Sequence, residues 1–330
     1  LAMFNNRLEF TAEWYKNKSE DLLYSVPVPA QTGVSNTSVT MNAASMENSG
    51  FEFSATYRNR DHAFKYDISA NLSTLKNKVT SLGIGKDSYI SGAYATYVGQ
   101  EIGQFYGWVY EGIARNQSDL DGHATQQGAN VGDCLYKDIS GPEGTPDGVI
   151  DAYDQTVLGS GLPKVNFGLS THMEYKGFDL NISTYGVLNY HVSDDIYNSL
   201  NSCYGYGNKE VGMLDANRWS EDGTYLSSVP RTYAANNATL AWNDLFSSRK
   251  IQNAAYWKIA NVELGYNFPD KWFGGYVSGV RLYVSAQNLY TFTGYHGYNV
   301  DYAGGTFTPG YNFCSFPSAR TFMAGLHFTF

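Results

Sequence analysis

The last eleven residues, Arg320 to Phe330, restrict the fold more than any other stretch. Phe322, Ala324, Leu326, Phe328 and Phe330 fall on one face of an extended strand. Thr321, Met323, Gly325, His327 and Thr329 fall on the other. Successive side chains of a strand point to opposite sides, so this is a ribbon with an apolar side and a mostly polar side. Its length matches the roughly 9–11 residues that a tilted strand needs to cross a bilayer. The edge of a water-soluble sandwich shows the same pattern, with its apolar side turned inward. The rest of the chain must separate the two.

The alternation recurs along the chain. Leu8, Phe10, Ala12 and Trp14 alternate with Glu9, Thr11 and Glu13. The polar run Asn17 to Glu20 predicts a turn, Asp21 to Pro29 a returning strand, and residues 30–49 a loop. Phe51, Phe53, Ala55 and Tyr57 alternate next, then Phe64, Tyr66, Ile68, Ala70 and Leu72. Downstream come Val165 to Tyr175, Phe178 to Leu188, Val262 to Phe268, Val280 to Ala286 and the terminal strand. Charges inside these segments keep to the polar face: Glu9, Glu13, Glu52, Lys65, Asp67, Glu174, Asp179, Glu263 and Arg281. Aromatics gather near strand ends, at Trp14, Tyr57, Phe64, Tyr175, Phe178 and Phe268, where the interface girdles of a membrane barrel belong.

The connections decide between sandwich and barrel. With the C-terminus placed in the periplasm, residues 17–20, 59–63, 176–177 and 269–279 become inner turns. Residues 30–49, about 73–164, 189–254 and 291–319 become outer loops. Every short connection falls inside and every long one outside, as outer-membrane barrels require. A sandwich has no reason to follow that rule. The expected fold is therefore all-β, a transmembrane antiparallel β-barrel with long extracellular loops. Glu174, Asp179, Glu263 and Arg281 are then lumen-facing.

Composition agrees with this. No run of 18 apolar residues exists, so no membrane helix is expected and a spanning fold must be a closed barrel. A net charge of −9 excludes a nucleic-acid partner, whose backbone demands basic patches. Cys134, Cys203 and Cys314 have no metal-knuckle spacing. The six His are scattered without a metal-spaced pair, and no nucleophile elbow or phosphate-cradling loop is present. The expected protein is not an enzyme. About nine membrane strands over residues 1–330, beginning in mid-pattern, predict part of a longer barrel.

Three stretches carry a family resemblance: Tyr256-Trp257-Lys258-Ile259-Ala260-Asn261-Val262-Glu263-Leu264-Gly265-Tyr266-Asn267-Phe268-Pro269, Leu282 to Thr293, and Pro317-Ser318-Ala319-Arg320-Thr321-Phe322 with the Phe-terminated strand. Gly103 to Ile113 and Arg218-Trp219-Ser220 support them. In order, these resemble the C-terminus of SusC/RagA-type TonB-dependent transporters of Bacteroidota. The resemblance implies the C-terminal part of a 22-stranded barrel in the bacterial outer membrane, surrounded by its lipid. It also implies a plug domain elsewhere in the chain, through which TonB acts, a SusD-like lipoprotein lid, and oligosaccharide or peptide cargo. The alternatives are a TonB-dependent receptor for a siderophore or cobalamin, and a barrel-based surface adhesion or assembly component.

Two candidate sites stand out. Asp138, Asp147, Asp151 and Asp154 with Gly148 resemble half of a calcium loop, since hard cations take several oxygens around a sharp Gly turn. Pro142-Glu143-Gly144-Thr145-Pro146 interrupts the family's usual spacing there; a plain Asp/Gly turn cluster is the competing reading. No other cofactor is expected. The outer loops carry Tyr204, Tyr206, Trp219, Tyr225, Trp242, Tyr295 and Tyr298, amphipathic rings suited to cargo or partner contact. Packing of the loops against one another would use the same rings.

Overall fold

The computed structural model describes residues 1–27, 38–83, 85–202, 208–209, 211, 219, 229–232, 242–273, 277–301, 304–313 and 315–330. Its organising element is a ten-stranded antiparallel sheet. Eight long strands build it: β1 (Leu8–Pro27), β2 (Ser38–Asn59), β3 (Phe64–Thr74), β4 (Val165–Tyr175), β5 (Phe178–Leu188), β6 (Tyr256–Phe268), β7 (Gly279–Thr293) and β8 (Thr321–Thr329). Each pairs with its neighbours in chain order, as an up-and-down meander. The two-residue strand Ala2–Met3 pairs with the start of β1, and Lys76–Ser81 pairs with the outer half of β2. The sheet stays open, an arc of barrel wall between β1 and β8.

Register turns the alternation into two continuous surfaces. On one side Ala12, Phe53, Leu72, Phe167, Gly186, Trp257 and Phe292 follow one another across seven strands. On the other, Glu9, Thr56, Ser69, Ser170, Ser183, Asn261, Gln287 and Thr321 make an unbroken polar row. The apolar side is not covered: Phe322 is 69% exposed, Leu326 58% and Leu264 46%. A sandwich would bury that side, and so wide an apolar surface facing water would invite association. In a barrel the same side meets lipid. Among the described residues no helix is long and apolar enough to cross a membrane.

Aromatic belts bound the apolar band. At the inner end Phe64 meets Tyr175 with ring centroids 6.4 Å apart, and Phe178 meets Tyr266 at 4.6 Å. At the outer end Trp257 stacks on Phe292 at 5.4 Å and Phe51 lies beside Phe53. From Tyr175 to Phe167 the strand runs ~26 Å at about 3.3 Å per residue, enough for a tilted crossing of the apolar layer. The inner hairpin at Lys176-Gly177 has φ of 48° and 88°. Two positive φ values in a two-residue loop match the twist of the flanking strands.

The first hairpin departs from expectation. Asn17 to Glu20 is no turn, and no return strand starts at Asp21: β1 runs through for 20 residues and β2 answers with 22. The turn-like composition is absorbed by a bulge, with Asp21 at φ 56° and a register shift between Ser19 and Leu22. Here the polar residues pair across and along strands (Lys16 with Glu47 at 3.0 Å, Lys18 with Glu20 at 2.5 Å) instead of reversing the chain. Much of the expected 30–49 loop is therefore strand, and the hairpin reaches beyond the apolar band. The inner turn lies instead at Phe4 to Arg7, where Phe4, Asn5 and Asn6 have positive φ. The first outer connection shrinks to residues 28–37, no longer than the inner connection 269–278, and the contrast of short inner turns with long outer excursions holds for the later strands.

The three long outer excursions, residues 75–164, 189–255 and 294–320, fold over the outer end. The first carries a small four-stranded sheet ordered Thr156–Ser160, Gln104–Gly107, Tyr94–Tyr97 and Ser88–Ser91. Three compact clusters hold the excursions down. Ala44, Val79, Leu82 and Ile102 join the long hairpin to the first. Cys134, Tyr136 and Ile150 with Trp108 and Trp242 join the first to the second. Val187, Tyr190, Val192, Ala254, Tyr256, Tyr295 and Val300 join wall, second and third. Cys134 is buried; Cys203 and Cys314 lie outside the described residues.

Leu264 sits in the middle of the apolar band. Leu264→Arg should lower the stability of the full-length barrel in bilayers by about 2–4 kcal/mol. A denaturant titration followed by Trp fluorescence measures it.

Candidate functional site

The polar surface of the wall and the mouth under the excursions form the candidate site. Near the inner end, β5, β6 and β7 set three charges side by side. Arg281 Nε donates to Asp179 Oδ2 at 2.9 Å, and its Nη2 donates to Asp179 Oδ1 at 2.5 Å and Glu263 Oε1 at 2.6 Å. Asn267 Nδ2 donates to Asp179 at 2.9 Å. Asp179 is only 5% exposed, so its charge needs these donors. Register makes room for them: Gly265 lies between Asp179 and Tyr283, and a Cβ there would come 2.5 Å from the Arg281 guanidinium. Glu174, opposite Asp179 across the β4–β5 pair, accepts from His172 at 2.9 Å and lies 3.9 Å from Lys65. The four lumen-facing residues expected from sequence thus share one face, and three are directly bonded.

At the outer end β6 carries a bulge. Asn261 pairs with Ser183 and Ile259 with Thr184, so Ala260 is extra. Above it Trp257 and Ile259 keep to the apolar side and Lys258 turns to the polar side, where it is 4% exposed. Lys258 Nζ lies 2.5 Å from Asp301 Oδ2, and the Tyr185 hydroxyl donates to the same carboxylate at 3.2 Å. Asp301 belongs to the third excursion, so this contact pins that excursion to the wall. Beside it lies a cavity of about 320 Å³ lined by Lys258, Thr291, Thr293, Tyr298, Asn299 and Arg320 among others.

The ring residues divide. Tyr298 is 64% exposed and lines that cavity. Tyr295 is buried; its hydroxyl donates to Asp194, which also accepts from Asn312 at 3.1 Å and from the Tyr197 N–H at 2.9 Å. Burial first, then the bond to Asp194, pushes the Tyr295 hydroxyl above its ordinary pKa. Trp242 packs on Tyr136 with centroids 6.2 Å apart and donates Nε1 to Gln127 O at 3.0 Å. Trp219 lies against Gly132. All three rings make contacts within the cap; Tyr295 is buried there, while Trp242 and Trp219 remain partly exposed. Tyr204, Tyr206 and Tyr225 lie outside the described residues.

The Asp-rich loop does not gather its carboxylates. Asp154, fully buried, accepts from the Ile139, Ser140 and Asp151 N–H groups at 2.8, 3.1 and 2.8 Å. Asp151 accepts from Tyr153 N–H at 2.7 Å, Asp138 from Gly148 N–H at 2.7 Å and Asp147 from Val149 N–H at 3.0 Å. Among the described residues no three His, Cys, Asp or Glu side chains converge as a metal-holding group. The residues therefore do not fit the calcium site expected from sequence. Each of these carboxylates caps local backbone, as in a turn cluster, while Asp138 Oδ1 is buried without a hydrogen-bond partner among the described residues.

No protein-family model matches the chain. Individual relatives do. TonB-dependent receptor P3 of Formosa agariphila is 32% identical over all of this chain and 33% of its own length. TonB-dependent receptor SusC of Bacteroides thetaiotaomicron is 27% identical over all of this chain and 31% of its own. The RagAB peptide transporter structure superposes on 98% of the chain with a TM-score of 0.78 at 23% identity, over 33% of that chain. Along its whole length the chain is similar to TonB-dependent receptors, SusC among them, and its fold matches part of the RagAB transporter barrel. It spans about a third of the length of the relatives it matches. The sheet accordingly matches part of a TonB-dependent receptor barrel, and these relatives are named as receptors and transporters.

The sequence reading missed Lys258, Tyr185, Asp301 and Arg320. Lys258 left a signal, a cation between Trp257 and Ile259 in an otherwise lipid-facing run. Asp301 left none, since its partner is 43 residues away.

Arg281→Met in this protein should cost about 3 kcal/mol by stranding Asp179. The double variant Arg281→Met/Asp179→Asn should recover part of that loss in the same denaturant titration. His191, at the base of the second excursion, sits below its ordinary 6.5 because of burial and then the Lys164 charge. The unfolded chain therefore takes up the proton first. The cap should lose stability as pH falls from about 7 towards 5, and His191→Gln should flatten that slope in pH-dependent thermal melts.

Proposed function

We propose that this wall section serves an outer-membrane importer that takes up oligosaccharide or peptide fragments. Energy would be relayed by TonB, and a SusD-like surface lipoprotein would lie over the mouth. One observation carries the reading: an unbroken polar wall face opens at its outer end into cavities roofed by long, internally packed excursions. A lumen of that kind gives a hydrophilic solute a path past lipid, and hydroxyls, amides and one exposed Tyr ring suit polar polymers better than a compact chelate. SusC and the RagAB importer, similar along this whole chain, support the same reading. A siderophore or cobalamin receptor and an adhesion scaffold have less support, because the proteins similar along this chain include SusC and the RagAB peptide importer.

The test is uptake of labelled oligosaccharides and peptides by cells with and without a working TonB, and with the neighbouring surface lipoprotein deleted. The importer reading expects uptake to fall to background without TonB and to drop sharply without the lipoprotein. Uptake indifferent to both would contradict it.

A further inference from the structure

The Lys258 contact differs in kind from the other ion pairs of the wall. Arg281 with Asp179, Arg58 with Glu9, Arg60 with Asp67 and Lys16 with Glu47 all join wall strands or their inner turns. Among the described residues, Lys258 is the one wall cation whose ionic partner comes from an outer excursion. That partner, Asp301, has an Asx contact in its own loop, its N–H donating to Asn299 Oδ1 at 2.9 Å, and follows Val300, which is buried against Val187 and Tyr256 of the wall; the Tyr256 hydroxyl also reaches its carboxylate, and Asn299 in turn donates to Phe316 O at 3.1 Å. The receiving groups, by contrast, are set by strand register. Lys258 and Tyr185 are Cα partners across β5 and β6, with the ammonium 5.8 Å from the ring centroid. A cation and a phenol donor fixed by a sheet and aimed at one carboxylate are a carboxylate receptor; the carboxylate happens to be supplied by a loop.

The surroundings extend this. Val300 and Asp301 separate the 320 Å³ cavity from a second of about 290 Å³ lined by Asn166, Tyr190 and Tyr256. The larger cavity holds two cations, Lys258 and Arg320, and no carboxylate side chain among its lining residues. Arg320 is exposed, and among the described residues it has no ion-pair partner. With the Asp301 carboxylate displaced from Lys258, the two cations would favour anionic solutes, and Tyr298 offers a flat face beside them.

We propose that Lys258 and Tyr185 form a luminal seat for a cargo carboxylate, occupied in the cargo-free protein by Asp301 as an internal stand-in. An arriving carboxylate displaces the Asp301 side chain from the seat while Val300 stays packed on the wall, and Arg320 contacts a second anionic group. The uronate of a glycan and the carboxylate of a peptide present the same chemistry here. The inference rests on the importer reading. Because Asp301 competes for the seat, the apparent affinity of the free protein is reduced by the fraction of time the seat is filled.

That competition makes the test one of sign. Full-length protein in detergent is titrated calorimetrically with trigalacturonate, with a free-acid tripeptide, with its amidated counterpart and with maltotriose. Asp301→Ala and Asp301→Asn should bind an acidic probe about tenfold more tightly, and Lys258→Gln about tenfold more weakly, as fits a charge-assisted contact. Maltotriose and the amide should not respond. Which acidic probe responds identifies the source of the carboxylate. If Asp301 merely pins the loop, both Asp301 variants will bind acidic probes less well or equally, and the inference falls. It also falls if no acidic probe binds any form. Asp301→Asn keeps the shape of the side chain and carries the test if the Ala variant loosens the cap. TonB-dependent uptake in the same strains separates the two failures: uptake that persists with no tightening removes only the seat, and uptake without TonB removes the importer.

Discussion

Backbone N–H and C=O groups cannot be left unpaired in hydrocarbon, and the rest of this structure depends on that constraint. Each unsatisfied group costs several kcal/mol in lipid, so the chain crosses as strands whose pairing runs unbroken through the apolar band. The period of two then assigns each side chain to lipid or lumen, and a one-residue slip would put Glu263 or Arg281 into lipid. Register is thus held by charge as well as by hydrogen bonds. The bulge at Ala260 shows how local an exception must be: one extra residue is absorbed, and Trp257 and Lys258 still reach their proper sides. Gly265 serves the same constraint from within the lumen, leaving space for the guanidinium that neutralises Asp179.

Outside the apolar band the physics changes, and the chain uses buried polar links in place of register. Arg231 grips Asp133 at 2.6 and 2.9 Å while Asn243 donates to the same carboxylate, tying the second excursion to the first. Asp194, Tyr295 and Asn312 tie the second to the third. Both networks are buried with their partners satisfied, which gives a fixed arrangement instead of a sliding apolar contact. Among the described residues, the third excursion alone reaches down to the wall through an ion pair, at Lys258. The outer mouth is therefore a packed cap with one ionic foot on the lumen.

The wall was legible in the sequence because its signals are short-range and repetitive. Phe322, Leu326 and Phe328 announce their face, and Lys176-Gly177 announces its turn. The first hairpin was misread because Asn17-Lys18-Ser19-Glu20 has turn composition, yet these residues stand beyond the apolar band, where polar side chains suit a water-exposed strand equally well. The cap was largely illegible. Trp242 and Tyr295 look like free recognition rings until their partners Tyr136 and Asp194 arrive from more than 100 residues away. The Asp-rich loop looks like a cation site because carboxylates that cap backbone N–H groups occupy the same turn chemistry as carboxylates that bind metal.

The claim under all of this is that one side of the sheet faces lipid and the other a watery lumen. Spin labels at single cysteines replacing Leu264 and Glu263, in full-length protein with Cys134, Cys203 and Cys314 changed to Ser, test it most directly. In lipid bilayers the label at 264 should be relaxed by dissolved oxygen and shielded from a water-soluble nickel complex, and the label at the adjacent 263 should show the reverse. Labels that respond alike, or with the two sides exchanged, would contradict the barrel-wall account.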